Sequence, residues 1–117
     1  MLVGFEGQIL PALLAGADVA MRSLPNTTPD LFVGVVRTFE RSDLAKATEL
    51  HQRILPLVAV YTLSDSGLGS AKLAMKKLGF RLSPTVRGPA LPTPPNPEEA
   101  IEATLEAAGL LPVQGEA

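Results

Sequence analysis

The sequence predicts a mostly α-helical fold that opens with a short parallel β-α-β unit. Three observations predict it. Apolar residues recur at three- and four-residue steps over most of residues 28–111. Two short stretches near the N-terminus, Met1–Gly4 and Ala17–Met21, read as strands, joined through one helix by tight connections. Glycine and proline fall where helices should start and stop.

The elements follow in order. Met1–Gly4 is an apolar strand that turns at Glu6–Gly7. Ile9, Leu10, Leu13 and Leu14 share a helical face, with Pro11 in the first turn, where its missing N–H costs little, and Gly16 as the stop. Ala17, Val19 and Met21 alternate into the second strand. Thr28 reads as an N-cap, Pro29 suits the first helical position and Asp30 complements the helix dipole. Leu31, Phe32, Val35, Val36 and Phe39 form that helix's apolar stripe.

Ser42 and Asp43 restart the chain as a longer helix whose buried side runs Leu44, Ala47, Leu50, Ile54, Leu57, Val58 and Tyr61. Pro56 should bend it. A loop over Ser64–Gly69 leads to a helix near Ser70–Leu78, ended by Gly79. The prolines at 84, 89, 92, 94, 95 and 97 demand an extended, stiff passage. Asn96, Pro97 and Glu99 then form a helix-start signature for Ile101, Leu105 and Ala108. Gly109–Leu110 closes that helix as a Schellman motif, and Pro112–Ala117 is expected to fray.

Composition narrows the functional classes. With no cysteine among 117 residues there is no disulfide scaffold, thiolate metal site or cysteine nucleophile, which fits a reducing cytoplasm. A single histidine, His51, excludes a site built on two imidazoles of one chain, and no metal or cofactor is expected. A net charge of −2 with no tryptophan argues against a nucleic-acid partner. The apolar runs Gly7–Ala17 and Ile54–Ser64 fall short of the roughly 20 residues that span a bilayer, so no membrane partner is expected either.

The motifs that invite chemistry each have a plainer structural reading. Gly67–Lys72 (GLGSAK) carries glycines, a hydroxyl and a lysine ahead of a helix, but its spacing is not that of a phosphate loop. A structural turn is preferred over an anion site. His51 reads as a satisfied or exposed helix residue, and Glu98, Glu99, Glu102 and Glu106 as a solvated helix face. The proline run reads as a chain-crossing spacer rather than a ligand for a proline-binding module. Lys72, Lys76 and Lys77 share one short helix with no desolvating surroundings to lower a lysine pKa. No catalytic constellation emerges from the motifs themselves.

Taken in order, however, the segments at Gly4–Glu6, Leu13–Met21, Asn26–Phe32, Ile54–Leu57, Lys72–Gly79, Arg87–Pro92 and Ala107–Leu111 together resemble, from Leu2 to Leu111, the C-terminal portion of the dihydrodipicolinate synthase/N-acetylneuraminate lyase family. Gly4–Glu6 (GFE) stands where that family has a Gly-acid-acid turn, and Leu13–Met21 (LLAGADVAM) resembles its Leu-Ala-Gly-Ala-Asp-Gly-Ala-Ile strand entry. Asn26 with Pro29–Phe32 (PDLF) is similar to its Asn-x-x-Pro-Glu-Leu, and Ile54–Leu57 (ILPL) to its Leu-Pro-Leu. Lys72–Gly79 (KLAMKKLG), Arg87–Pro92 (RGPALP) and Ala107–Leu111 (AAGLL) continue the pattern.

The resemblance implies a C-terminal fragment of a (β/α)8 barrel plus its C-terminal helices. Residues 1–27 would hold the seventh and eighth strands, 28–111 the helical region and 112–117 the tail. It further implies a Schiff-base lyase acting on pyruvate or another 2-oxo acid. The family's imine-forming lysine, its tyrosine and its carboxylate-binding loop would all lie upstream of Met1, so no catalytic residue is assigned within this chain. By position Gly4, Glu6 and Met21 would be substrate-binding: Gly4 on the floor of the pyruvate site, Met21 lining it with its backbone, and Glu6 meeting longer substrates. Val19, Arg22 and Ser23 replace small residues that commonly flank the Met21 position, crowding that strand.

The leading expectation is a part inactive alone, as a truncated product, a miscalled start or half of a split enzyme. It would need a complementing N-terminal half or assemble as a homo-oligomer. The alternative is a small helical interaction module or homodimer that reuses the barrel's C-terminal helices. A small lyase using Lys72 is the least favoured reading.

Overall fold

A computed structural model describes residues 1–63, 67–91 and 97–111. Its strands are β1 (Leu2–Val3) and β2 (Val19–Ala20). Its α-helices are α1 (Ile9–Leu14), α2 (Pro29–Glu40), α3 (Leu44–Val58), α4 (Gly67–Lys77) and α5 (Glu98–Ala107). Short 3-10 turns lie at Glu6–Gln8, Leu24–Asn26 and Ala59–Thr62. The expected mostly helical chain with a parallel β-α-β start is what forms. The contacts divide it into two compact units, Met1–Leu55 and Pro56–Ala117.

In the first unit β1 and β2 pair in parallel, Leu2 beside Val19 and Val3 beside Ala20. The pairing extends through Asp18 N–H to the Met1 carbonyl (3.0 Å) and Met21 N–H to the Val3 carbonyl (3.1 Å). The apolar faces of α1 and α2 meet, burying Ile9, Leu10, Leu31, Phe32 and Val35. At roughly 1.5–3 kcal/mol for each large side chain taken from water, this packing stabilises the unit more than the strand pair does. Gly34 lets α2 approach α3, since a Cβ there would sit 3.0 Å from Leu50 Cδ1. Ala47, His51 and Ile54 are buried on one side of α3.

In the second unit α4 packs on the turn Ala59–Thr62 and on α5. Val60, Leu73, Ala74, Ile101 and Leu105 form the core. Lys77 of α4 reaches two carboxylates of α5, Glu98 and Glu102, both at 2.8 Å. Its ammonium pKa is raised, first by the hydrogen bonds to these two, while the Glu98 carboxyl is lowered by the same contact. Glu98 and Glu102 are therefore interhelical partners rather than the solvated face the spacing suggested.

Four of the helices end in the same closure. After α5, Leu110 N–H reaches the Leu105 carbonyl and Gly109 N–H the Glu106 carbonyl, both 2.9 Å, with Gly109 at φ 72° as a Schellman motif requires. The ends of α1 and α4 repeat it with Gly16 and Gly79. The end of α2 does so with Ser42 at φ 61°, a left-handed backbone on a residue with a Cβ.

Three expected helix starts differ. Thr28 precedes α2 but makes no side-chain cap, and its buried Oγ1 has no partner among the described residues. The segment Gly67–Gly69, expected as loop, is the first turn of α4. Gly67 serves close packing there, because a Cβ would come within 2.9 Å of the Tyr61 ring. Pro97, not Asn96, occupies the cap position of α5, again without a side-chain bond. Asn96, most of the proline passage (92–96) and the tail at 112–117 lie outside the described residues. At the start of α3 the Asp43 carboxylate accepts the Lys46 N–H at 3.0 Å, a cap the sequence reading did not assign. Pro56 sits inside α3, and the α-helical pattern gives way to a 3-10 turn at Ala59.

Candidate functional site

The residues singled out in the sequence converge on one edge of the first unit. Gly4 follows β1 and Met21 follows β2, so the parallel register sets them side by side just beyond the C-terminal ends of the strands. That is the end from which parallel α/β sheets present their functional groups. Gly4 has open space where a Cβ would stand, and Met21 is 75% exposed.

Glu6 turns the other way. It is only 5% exposed, and its Oε1 accepts the backbone N–H of Ser23 (3.1 Å) and of Leu24 (3.4 Å), with the Ser23 hydroxyl at 3.5 Å. These N–H groups open the 3-10 turn Leu24–Asn26 and lack partners in their own turn. The carboxylate thus caps, from 17 residues away, the turn that carries the chain from β2 toward α2.

Two residues not expected to act together join it. The three guanidinium nitrogens of Arg22 are out of solvent and have no acceptor among the described residues. Burial lowers the Arg22 pKa and the Glu6 charge opposes that shift. His51, 8% exposed, also has an unpartnered Nδ1, so it is neither exposed nor satisfied as the sequence suggested. Burial first, then the Arg22 charge, depress its pKa, which keeps the imidazole neutral near pH 7. His51 shares its helix face with Ala47 and Ile54, a spacing that could have marked it as buried. Nothing in the spacing could have brought it to Arg22.

Beside this cluster a cleft of about 390 Å³ opens between β2 and α2, with mostly apolar walls that include Ala20, Phe32, Val33 and Val36. Arg22, Arg37 and Glu40 give it charge. The edge has backbone, a buried carboxylate and a guanidinium, but among the described residues no lysine amine. Lys72 lies in the second unit, its Nζ donating to the Thr85 carbonyl at 2.7 Å. Among the described residues no group of His, Asp and Glu is placed to hold a metal ion, and no helix is long and apolar enough to cross a membrane.

Residues 1–108 match the model of the dihydrodipicolinate synthetase family. The probable 2-dehydro-3-deoxy-D-pentonate aldolase YjhH of Escherichia coli K12 is 30% identical over 94% of this chain and 36% of its own length. The 4-hydroxy-tetrahydrodipicolinate synthase of Neisseria meningitidis serogroup B is 32% identical over 95% of this chain and 38% of its own. Among solved structures, YagE, a prophage protein of the dihydrodipicolinic acid synthase family from E. coli K12 in complex with pyruvate, superposes with a TM-score of 0.87 at 26% identity. That match covers 94% of this chain and 37% of YagE. The chain thus spans little more than a third of the relatives it matches.

Proposed function

The chain belongs to the dihydrodipicolinate synthetase family, and from that premise we propose that it forms the C-terminal part of a cytoplasmic Schiff-base lyase of (β/α)8 type, acting on pyruvate or a related 2-oxo acid. The observation that carries this reading is the placement of Gly4 and Met21 side by side beyond two parallel strand ends, in a chain that superposes on a family protein crystallised with pyruvate. In this reading Gly4 and the Met21 backbone form part of the floor and wall of the 2-oxo acid site. Glu6 is a positioning residue: it pins the Ser23–Leu24 backbone and so fixes the course of the chain leaving Met21.

The nucleophile comes from the remaining two-thirds of a family-length protein. Barrel sites draw on several strand ends, and two strands cannot close a barrel. A lysine amine there attacks the 2-oxo carbon and water leaves, giving an imine. Alone, this chain is inactive.

Pyruvate with sodium borohydride tests the reading, since borohydride delivers hydride to an imine and fixes the adduct. The isolated chain should gain no mass. Fused behind the first two-thirds of YagE, it should support a reduced pyruvyl adduct on a lysine outside this sequence. An adduct on Lys72, Lys76 or Lys77 of the isolated chain, or none on the fusion, overturns the proposal.

A further inference from the structure

We propose that Phe5 and Met21 select the far end of the substrate, and that the group they select is apolar: the aldehyde that joins pyruvate, or leaves it, carries an aryl or alkyl substituent. The proposal rests on the barrel reading and names the substrate class of that same site. Side chains alternate between the two faces of a strand. Ala20 and Arg22 line the cleft against α2, so Met21 between them faces the other side of the strand pair, the side a barrel turns inward. Met21 is 75% exposed there. Gly4 lies level with it on the same face and leaves open space where a side chain would stand. Phe5, the next residue, is 51% exposed at the same strand ends.

The charges nearest in sequence are turned elsewhere. Glu6, expected to meet longer substrates, is 5% exposed and gives its Oε1 to the Ser23 and Leu24 N–H groups. Arg22 lines the α2 cleft and holds its guanidinium nitrogens out of solvent. What this chain offers past its strand ends is therefore a gap at Gly4 beside a thioether and an aromatic ring. A hydroxylated or carboxylate-bearing substituent would give up water against those two side chains and gain neither charge in return. An apolar substituent loses no hydrogen bonds there, and the flexible Met21 can adapt to its shape. In the synthetic direction the methyl carbon of the pyruvate imine loses a proton and bonds to the aldehyde carbon, and the aldehyde oxygen takes up a proton. Water then hydrolyses the imine, releasing a 4-hydroxy-2-oxo acid and the free lysine amine; cleavage is the reverse.

The test uses the full 117-residue chain fused behind the first two-thirds of YagE, with pyruvate and benzaldehyde, glyceraldehyde or glyoxylate. The fusion should show kcat/KM for benzaldehyde about tenfold or more above that for either polar aldehyde. Phe5→Asp and Met21→Ser should each cut that preference about tenfold, and Phe5→Leu should keep it. Glu6→Gln should slow all the aldehydes alike, because it loosens a backbone cap and touches no substrate. Borohydride trapping of pyruvate on each variant establishes that the site is still assembled. A fusion that traps pyruvate but prefers glyceraldehyde or glyoxylate, or turns over no aldehyde, overturns the proposal and leaves the barrel reading standing. So does a preference indifferent to Phe5→Asp and Met21→Ser, or a Glu6→Gln loss confined to glyceraldehyde. A fusion that traps no pyruvate overturns the barrel reading and this proposal with it.

Discussion

The two units of this chain differ in how they treat their polar groups. In Pro56–Ala117 the conspicuous charge, Lys77, is shared between two carboxylates of the neighbouring helix, and α4 and α5 both end in closed backbone motifs. In Met1–Leu55 lie Arg22, Thr27, Thr28 and His51, which together hold all the buried side-chain donors and acceptors without a partner among the described residues. A unit that satisfies its own polar atoms needs nothing further. One that buries a guanidinium without an acceptor carries a cost that an added segment can relieve. The unsatisfied groups all belong to the unit that also carries Gly4 and Met21.

The comparison can be broken most sharply at Glu6. Glu6→Ala removes the cap on Ser23 and Leu24 and the opposite charge facing Arg22, and should destabilise the first unit by about 3 kcal/mol. Urea unfolding with amide exchange resolved by unit would show it, and equal loss in both units would contradict the division. The effect of pH comes next. The folded-state pKa of His51 lies below its ordinary value of 6.5, so the unfolded chain binds more protons as pH drops through that range. Stability should therefore fall as pH falls below about 6.5, and His51→Leu should flatten the slope. A slope unchanged in that variant would place its origin elsewhere.

Thr28→Val replaces an orphan hydroxyl with a methyl of the same shape and should stabilise the isolated chain by about 1 kcal/mol. A loss would mean that the hydroxyl has an acceptor. Ser42→Gly relieves the left-handed backbone at the end of α2 for a gain of about 0.5 kcal/mol, read from the urea midpoint. The smallest effect belongs to Lys77→Met. It should lower the melting temperature slightly at low salt and less in 1 M NaCl, because Glu98 is 57% exposed and readily screened while Glu102 is half-buried. A salt-independent loss would show that the lysine stem, not its charge, supplies the contact.

Much of the fold was legible because its signals are local. Apolar spacing located α1, α2, α3 and α5, and glycines at 16, 79 and 109 marked three helix ends. The exceptions are instructive. Ser42 ends α2 in a glycine's conformation, so composition hid it. Gly67 and Gly69 looked like turn residues, yet Gly67 is small in order to sit against Tyr61.

The sequence by itself determined the helical character, the parallel strand–helix–strand opening and the family, since these depend on short-range periodicity and on motif order. Only tertiary structure decided that Glu6 faces inward as a cap, and that Arg22 and His51 share its surroundings. The reason is distance along the chain. Hydrophobic periodicity fixes which face of an element is buried, but not which polar group on another element will meet it there.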